Sequence, residues 1–234
     1  MFGLLHTHSL TFDGRDAEDG DVWSFRFHAN APLRWRAGQH GLLRLPGWAV
    51  KPFTLASAPE EGSILIGTSL RSNSTYKQKL AALGEGDRVV LHGPLAHFTL
   101  DGAGADVVML AQGIGITPFR SMLRHLALSG DPISATLIHV GAGHAYRHDT
   151  EADATRAYYP YHADEFRSTL AEVVRDRTEA TYFIAGDGGF VKATATSLAK
   201  AGVERNHVRR DTYYGYTPAS SSVVGRQSYS RWPT

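Results

Sequence analysis

Past about residue 103, short apolar runs alternate with helical patterns, and this alternation leaves few folds open. The runs 107–111 (VVMLA), 135–140 (ATLIHV) and 181–185 (TYFIA) are too short for buried helices. They suit strands covered on both faces of a parallel sheet. Helical patterns separate them. One runs over about 117–128 and stops at Gly130; a second, 164–174, has Phe166, Leu170 and Val173/Val174 on one face. A third runs over about 189–200, with Asp187 as its N-cap. Parallel strands need crossover connections, so strand–helix alternation predicts βαβ units. A last strand is expected near 207–213.

The first hundred residues have a different pattern. Segments 4–12, 21–28, 41–46, 51–56, 63–69 and 88–93 mix β-branched, aromatic and polar residues. Turn residues punctuate them: Asp13-Gly14, the stretch from Asn30 to Pro32, and Pro46-Gly47. Six such strands predict an antiparallel Greek-key β-barrel. One helix interrupts it, capped by Ser74 or Thr75, with Tyr76, Leu80 and Leu83 apolar and Gly84 as the stop. The chain therefore reads as two domains, β followed by α/β. The β-barrel spans 1–103, the parallel-sheet domain 104–216, and a Ser-rich tail 217–234.

Composition narrows the chemistry. With 42% hydrophobic residues among 234, two cores can be filled. A net charge of +1 gives no electrostatic case for nucleic acid or an anionic membrane. No cysteine is present, which excludes disulfides, thiolate zinc sites, iron–sulfur clusters and Cys nucleophiles within these residues. The start, MFGLLHTHSL, lacks a basic segment followed by a long apolar run, so no signal peptide is expected. No stretch approaches the ~18–20 apolar residues of a membrane span. The expected location is the cytoplasm. Of the twelve histidines, His6/His8 and His144/His148 have pairwise metal spacing, but neither pair has a third ligand, so no metal is expected.

Three segments carry chemistry. In AQGIGITPFRSML (111–123), Gly113 and Gly115 lie between a buried strand and a helix. Glycines there let backbone approach a polyanion, and the helix start offers N–H groups to a pyrophosphate. Pro118 in the first helical turn costs no hydrogen bond. A glycine-rich turn without a ligand is the competing reading. In KPFTLASAP (51–59), strand alternation puts Lys51, Phe53 and Leu55 on one side and Pro52 and Thr54 on the other. An edge strand with an exposed lysine competes here. In RSNSTYKQKL (71–80), Ser74 and Thr75 open a helix and offer hydroxyls to an anion, against plain N-capping.

In this order, with AGQHGLLRLP (37–46), HGPLAHFTL (92–100) and FIAGDGG (183–189), these segments resemble the ferredoxin–NADP reductase superfamily from about Leu10 to Tyr216. The resemblance implies a flavin-dependent oxidoreductase that takes hydride from NADPH or NADH onto bound FAD, with FMN as the alternative. Electrons then pass to a separate small molecule or protein, a ferredoxin-like partner among the candidates. Lys51, Pro52, Phe53 and Thr54 would stand at the family's R-x-Y-S/T motif, with Lys51 at the flavin phosphate, Phe53 on the isoalloxazine and Thr54 near N5. Thr68, Ser69 and Leu70 would line the flavin, and Ser74 and Thr75 would meet its pyrophosphate. Gly113, Gly115, Thr117 and Pro118 would hold the nicotinamide dinucleotide. Asp187 lies in the segment that faces nicotinamide, where Ala185 replaces a frequent cysteine. RRDTYYGYTP (209–218) is similar to the family's E-x-F/Y-x-G-Y, which makes Tyr214 or Tyr216 the aromatic over the flavin and Asp211 the acid. Arg147 is a candidate for a 2′-phosphate, in the long stretch 141–166. Departures at Lys51, Phe53 and Asp187-Gly188 keep open a non-catalytic subunit of this fold, and a reductase of free flavin is a third reading.

Overall fold

The computed structural model describes residues 6–47, 50–72 and 74–213. Tyr214, Tyr216 and the tail 217–234 lie outside the described residues.

Strands β1 (Thr7–Ala17), β2 (Val22–Ala29), β3 (His40–Arg44), β4 (Val50–Thr54), β5 (Ile64–Ser69) and β6 (Arg88–Leu95) form one curled sheet. Its order is β4-β3-β6-β1-β2-β5, with every pair antiparallel. Alternation builds it: Leu10 and Phe12, Phe25 and Phe27, Val89 and Leu91 point two by two into one core. Edge strands β4 and β5 approach each other at a single bridge, Leu55 to Ile66. Helix α1 (Thr75–Ala81) plugs the barrel. Its Tyr76 and Leu80 join that core, and the Tyr76 hydroxyl donates to the Leu43 carbonyl at 2.6 Å.

One expected turn is not a turn. Asp13-Gly14 sits within β1, where Phe12 pairs with Phe27 and Gly14 with Arg26. The extra residue is a β-bulge, so β1 continues to Ala17 instead of ending near residue 12.

The second sheet is parallel throughout, in the order β11-β10-β7-β8-β9. Its strands are β7 (Asp106–Gln112), β8 (Ser134–Val140), β9 (Arg156–Tyr158), β10 (Thr181–Asp187) and β11 (Val208–Tyr213). Successive residues of each strand face opposite layers. Met109, Leu137 and Phe183 pack on helix α2 (Thr117–Ser129). Leu110, Ile138 and Ile184 pack on α4 (Ala163–Val174) and α5 (Gly188–Lys200). The stretch 141–166 contains a helix, α3 (Arg147–Asp153), and the three-residue strand β9. Both escape a reading by hydrophobic period: α3 (RHDTEAD) buries only Thr150.

The two layers are stitched together at α2. The Arg120 guanidinium donates to the Ala56 carbonyl and to Glu61, and Ser121 Oγ donates to the Ser57 carbonyl at 2.7 Å. Among the described residues, no helix is long and apolar enough to cross a membrane.

Candidate functional site

From β7 the chain moves outward through β8 to β9, then returns to place β10 on the other side of β7. The strand order thus reverses between β7 and β10, which in open α/β sheets marks the crevice beyond the carboxyl ends where ligands bind. Both loops beyond these ends belong to predicted segments. After β7 comes a 3-10 turn, Gly113–Ile116, that runs into α2 with no side-chain cap. β10 ends on Asp187, whose carboxylate accepts the Phe190 N–H at 2.8 Å and caps α5. The Gln112 side chain accepts the Asp187 N–H at 3.1 Å and ties the two loops together.

The two glycines have different physical grounds. Gly113 adopts φ 52°, and a Cβ there would meet nothing within 4 Å, so its outer side is open. At Gly115 a Cβ would overlap the Ala185 carbonyl oxygen and lie 2.7 Å from its carbon. Packing on β10 by itself therefore requires glycine at position 115.

On the barrel side, facing the turn after β7, stands Thr54, buried at the end of β4. Its hydroxyl is 3.0 Å from the Tyr213 hydroxyl, which is 3.3 Å from Thr117 Oγ1. Thr117 donates to the Ile114 carbonyl at 3.1 Å. Each hydroxyl has one proton, so the chain runs one way: Thr54 donates to Tyr213, Tyr213 to Thr117, Thr117 to Ile114. Burial, with the nearby Asp211 carboxyl adding to it, raises the Tyr213 phenol above its ordinary value and keeps that proton in place. Burial also raises Asp211, partly opposed by His40. Tyr213, the last residue of β11, was not singled out by sequence. The same E-x-F/Y-x-G-Y pattern contains it, two residues after Asp211.

Gly67 lets these groups close up. A Cβ on it would overlap the Tyr146 hydroxyl and lie 2.9 Å from the Thr117 methyl. A glycine inside a strand pattern was the available signal.

The remaining predicted residues gather along β5 and α1. Because β5 is an edge, its backbone past the bridge at Ile66 has no strand partner on the outer side among the described residues. Thr68 and Ser69 are buried there, with Leu70 half-buried. Ser74 accepts the Lys77 N–H at 3.4 Å, and both Ser74 and Thr75 are exposed. Two cations flank them. Lys77 Nζ donates to the Ser69 carbonyl at 2.6 Å, and Arg71 pairs with Asp21 at 3.2 Å. Asp21 also accepts the Ser69 hydroxyl. Burial works to raise the Asp21 carboxyl, but Ser69 and Arg71 outweigh it and hold the group below its ordinary value. Burial depresses Lys77 despite Asp21. Lys51 and Pro52 are exposed, and Lys51 forms no ion pair among the described residues. Phe53 is half-buried and stacks on Tyr76 at 5.9 Å with 26° between planes. An unpaired strand edge, a buried threonine and a cluster of hydroxyls and cations fit a flat ring system carrying a pyrophosphate. Arg147 is engaged by Glu151 at 3.4 Å and lies over the Tyr159 ring at 4.6 Å.

The fold has counterparts among solved structures. The chain is similar to ferredoxin–NADP+ reductase from Plasmodium falciparum (TM-score 0.76, 13% identity, 91% of this chain and 99% of that one). It is also similar to a ferredoxin NADP+ reductase from Neisseria gonorrhoeae with bound FAD and NADP (TM-score 0.68, 17% identity, 90% and 99%). In sequence it is 31% identical over 114 residues to the flavohemoprotein of Deinococcus radiodurans, matching 46% of this chain and 28% of that protein. It is 25% identical over 220 residues to the vanillate O-demethylase oxidoreductase of Pseudomonas putida, 90% of this chain and 70% of that protein. The chain thus spans less than a third of the flavohemoprotein. No protein-family model matches.

Proposed function

We propose, for a chain with the two-domain fold of the ferredoxin–NADP reductase superfamily, that it oxidises NAD(P)H through a bound flavin and passes the electrons to a separate acceptor. FAD is the proposed flavin, held by 1–103, and the dinucleotide is held by 104–216. When bound, the flavin supplies the hydride acceptor and splits the pair into electrons for the acceptor. The chain supplies binding and orientation. Thr68, Ser69 and Leu70 offer backbone along the ring edge, while Ser74, Thr75, Arg71 and Lys77 meet the pyrophosphate. Gly113, Thr117 and Pro118 hold the dinucleotide at the crevice.

One observation carries this reading: the hydroxyl chain from Thr54 through Tyr213 to Thr117. It joins the end of β4 to the turn after β7, the two places where flavin and nicotinamide have to meet for direct transfer. Tyr213 takes the aromatic role assigned by sequence to Tyr214 or Tyr216. The end of β8, Gly141-Ala142-Gly143, brings no acid of its own, a pattern that suits NADPH. Asp19 reaches it from the β1–β2 turn, however, and accepts the His144 N–H at 2.6 Å. The donor is therefore proposed as NAD(P)H without preference.

Thr54→Val tests the reading. Flavin content is expected to stay at the wild-type level while the rate of flavin reduction falls about tenfold, the scale of one lost hydrogen bond. Unchanged reduction kinetics would remove Thr54 from the chemistry. Lys51, exposed and in no ion pair among the described residues, favours a second reading, a loosely held flavin that exchanges as a substrate. Activity that depends on added free flavin, in protein that purifies colourless, would select it.

A further inference from the structure

Beneath the turn after β7 lies a polar side chain with no role so far. His139 is fully buried near the end of β8, and its Nε2 is 2.9 Å from the Gly113 carbonyl oxygen. A carbonyl oxygen only accepts, so Nε2 carries the proton and Nδ1 is left as a lone-pair acceptor. No group among the described residues donates to that Nδ1. The His144 and Tyr159 rings close edge-on around the imidazole, with centroids at 5.1 and 6.4 Å. Burial, helped by His144, pushes the imidazole down to about 3, so it is neutral at physiological pH.

We infer that His139 is a positioning residue for the nicotinamide dinucleotide: by holding the Gly113 carbonyl inward, it turns the Ile114 N–H outward to the pyrophosphate. The inference rests on the proposed role of the Gly113 turn. The geometry follows from the peptide bond. In a planar trans peptide, the Gly113 C=O and the Ile114 N–H point in opposite directions. With the carbonyl fixed on a buried imidazole, the N–H faces away from the protein interior.

Glycine makes such a lock necessary. At φ 52°, with open space on its outer side, Gly113 offers little steric resistance to a flip of this peptide. The imidazole does resist it. After a flip, Nε2 would have to accept from the Ile114 N–H, and the proton would move to Nδ1. A buried N–H without an acceptor is costlier than a buried lone pair without a donor. The orphaned Nδ1 thus biases the turn toward the orientation seen.

The test compares wild type with His139→Leu and His139→Gln, all with their flavin. Binding of NAD+ and NADP+ is measured by calorimetry, and 15N imidazole spectra are recorded with and without each dinucleotide. Leucine is expected to weaken binding of the preferred dinucleotide about tenfold at unchanged flavin content. Glutamine, whose terminal amide reaches the same carbonyl, is expected to restore it to within about threefold. The wild-type spectrum is expected to show an Nε2–H tautomer whose shift moves when the dinucleotide binds. Equal affinity in wild type and His139→Leu, or an Nδ1–H tautomer, overturns the inference alone. Binding of neither dinucleotide by wild type overturns the functional reading and this inference with it. Should His139→Leu not fold, the wild-type spectrum decides: a shift that moves supports the lock, and one that does not overturns it.

Discussion

Replacing Gly115 with alanine is expected to destabilise the chain by about 3 kcal/mol and to abolish dinucleotide binding. The added methyl would overlap the Ala185 carbonyl oxygen, with the carbonyl carbon at 2.7 Å and the Gly186 nitrogen at 3.1 Å. All three are backbone atoms of β10, the strand between β7 and β11, so no side-chain rotation relieves the clash. The turn would have to move off the sheet and open the crevice. Gly113→Ala is the matched control. It meets no atom within 4 Å but must adopt φ 52°, so it is expected to cost only about 1–2 kcal/mol. Urea denaturation midpoints check both. The reverse ranking would contradict the packing role of Gly115.

Arg120→Met is expected to cost about 3 kcal/mol. The guanidinium is buried and donates to the Ala56 carbonyl at 2.9 Å, to both Glu61 oxygens at 2.9 and 3.0 Å, and to Asp149 at 2.9 Å. Its face also lies over the Tyr146 ring at 5.4 Å. Burial alone would lower its affinity for the proton, but the Glu61 hydrogen bonds and the Asp149 charge more than offset this and raise it. Methionine keeps much of the volume and leaves two carboxylates facing each other without their cation. Both retain some water, which places the effect at the lower end for a broken buried pair. Because Arg120 belongs to α2 and Glu61 to the barrel side, the loss falls on the joint between the two sheets. Arg120→Lys is expected to recover less than half of it, since an ammonium cannot span Glu61 and Asp149 as a fork does. Full recovery by lysine, read from the same urea midpoints, would show that charge alone holds the joint.

Much of this architecture was legible in residue order. Strongly periodic or wholly apolar segments became the elements expected of them, β7, β8, β10 and α2 among them, because burial on one or both faces left a clear pattern. Asp187 caps the helix it was expected to cap, and of Ser74 and Thr75, both offered for the first helix, Ser74 is the cap. What stayed hidden depends on tertiary contact. Asp13-Gly14 has the composition of a turn, and only its pairing with β2 makes it a bulge. The polar α3 and the short β9 have no period to read.

The candidate site was legible by type rather than by contact. Thr54 and Thr117 were both singled out, yet their shared partner Tyr213 is far from each in sequence. Gly115 was singled out for the approach of a polyanion, and the contact with β10 backbone that a Cβ there would violate has no trace in the local sequence. Arg71 and Lys77 are brought together by Asp21 and Ser69, contacts with no local sequence signal. His139 was one apolar-strand histidine among twelve.

The proposed hydride transfer, between the end of β4 and the turn after β7, is tested most directly by mixing the purified yellow protein anaerobically with NADPH or NADH. The nicotinamide should carry deuterium at the transferred position in a parallel run. The expected result is bleaching of the bound flavin by at least one of the two, slowed by deuterium, and slowed about tenfold again in Thr54→Val. A flavin that remains oxidised with both donors would contradict it.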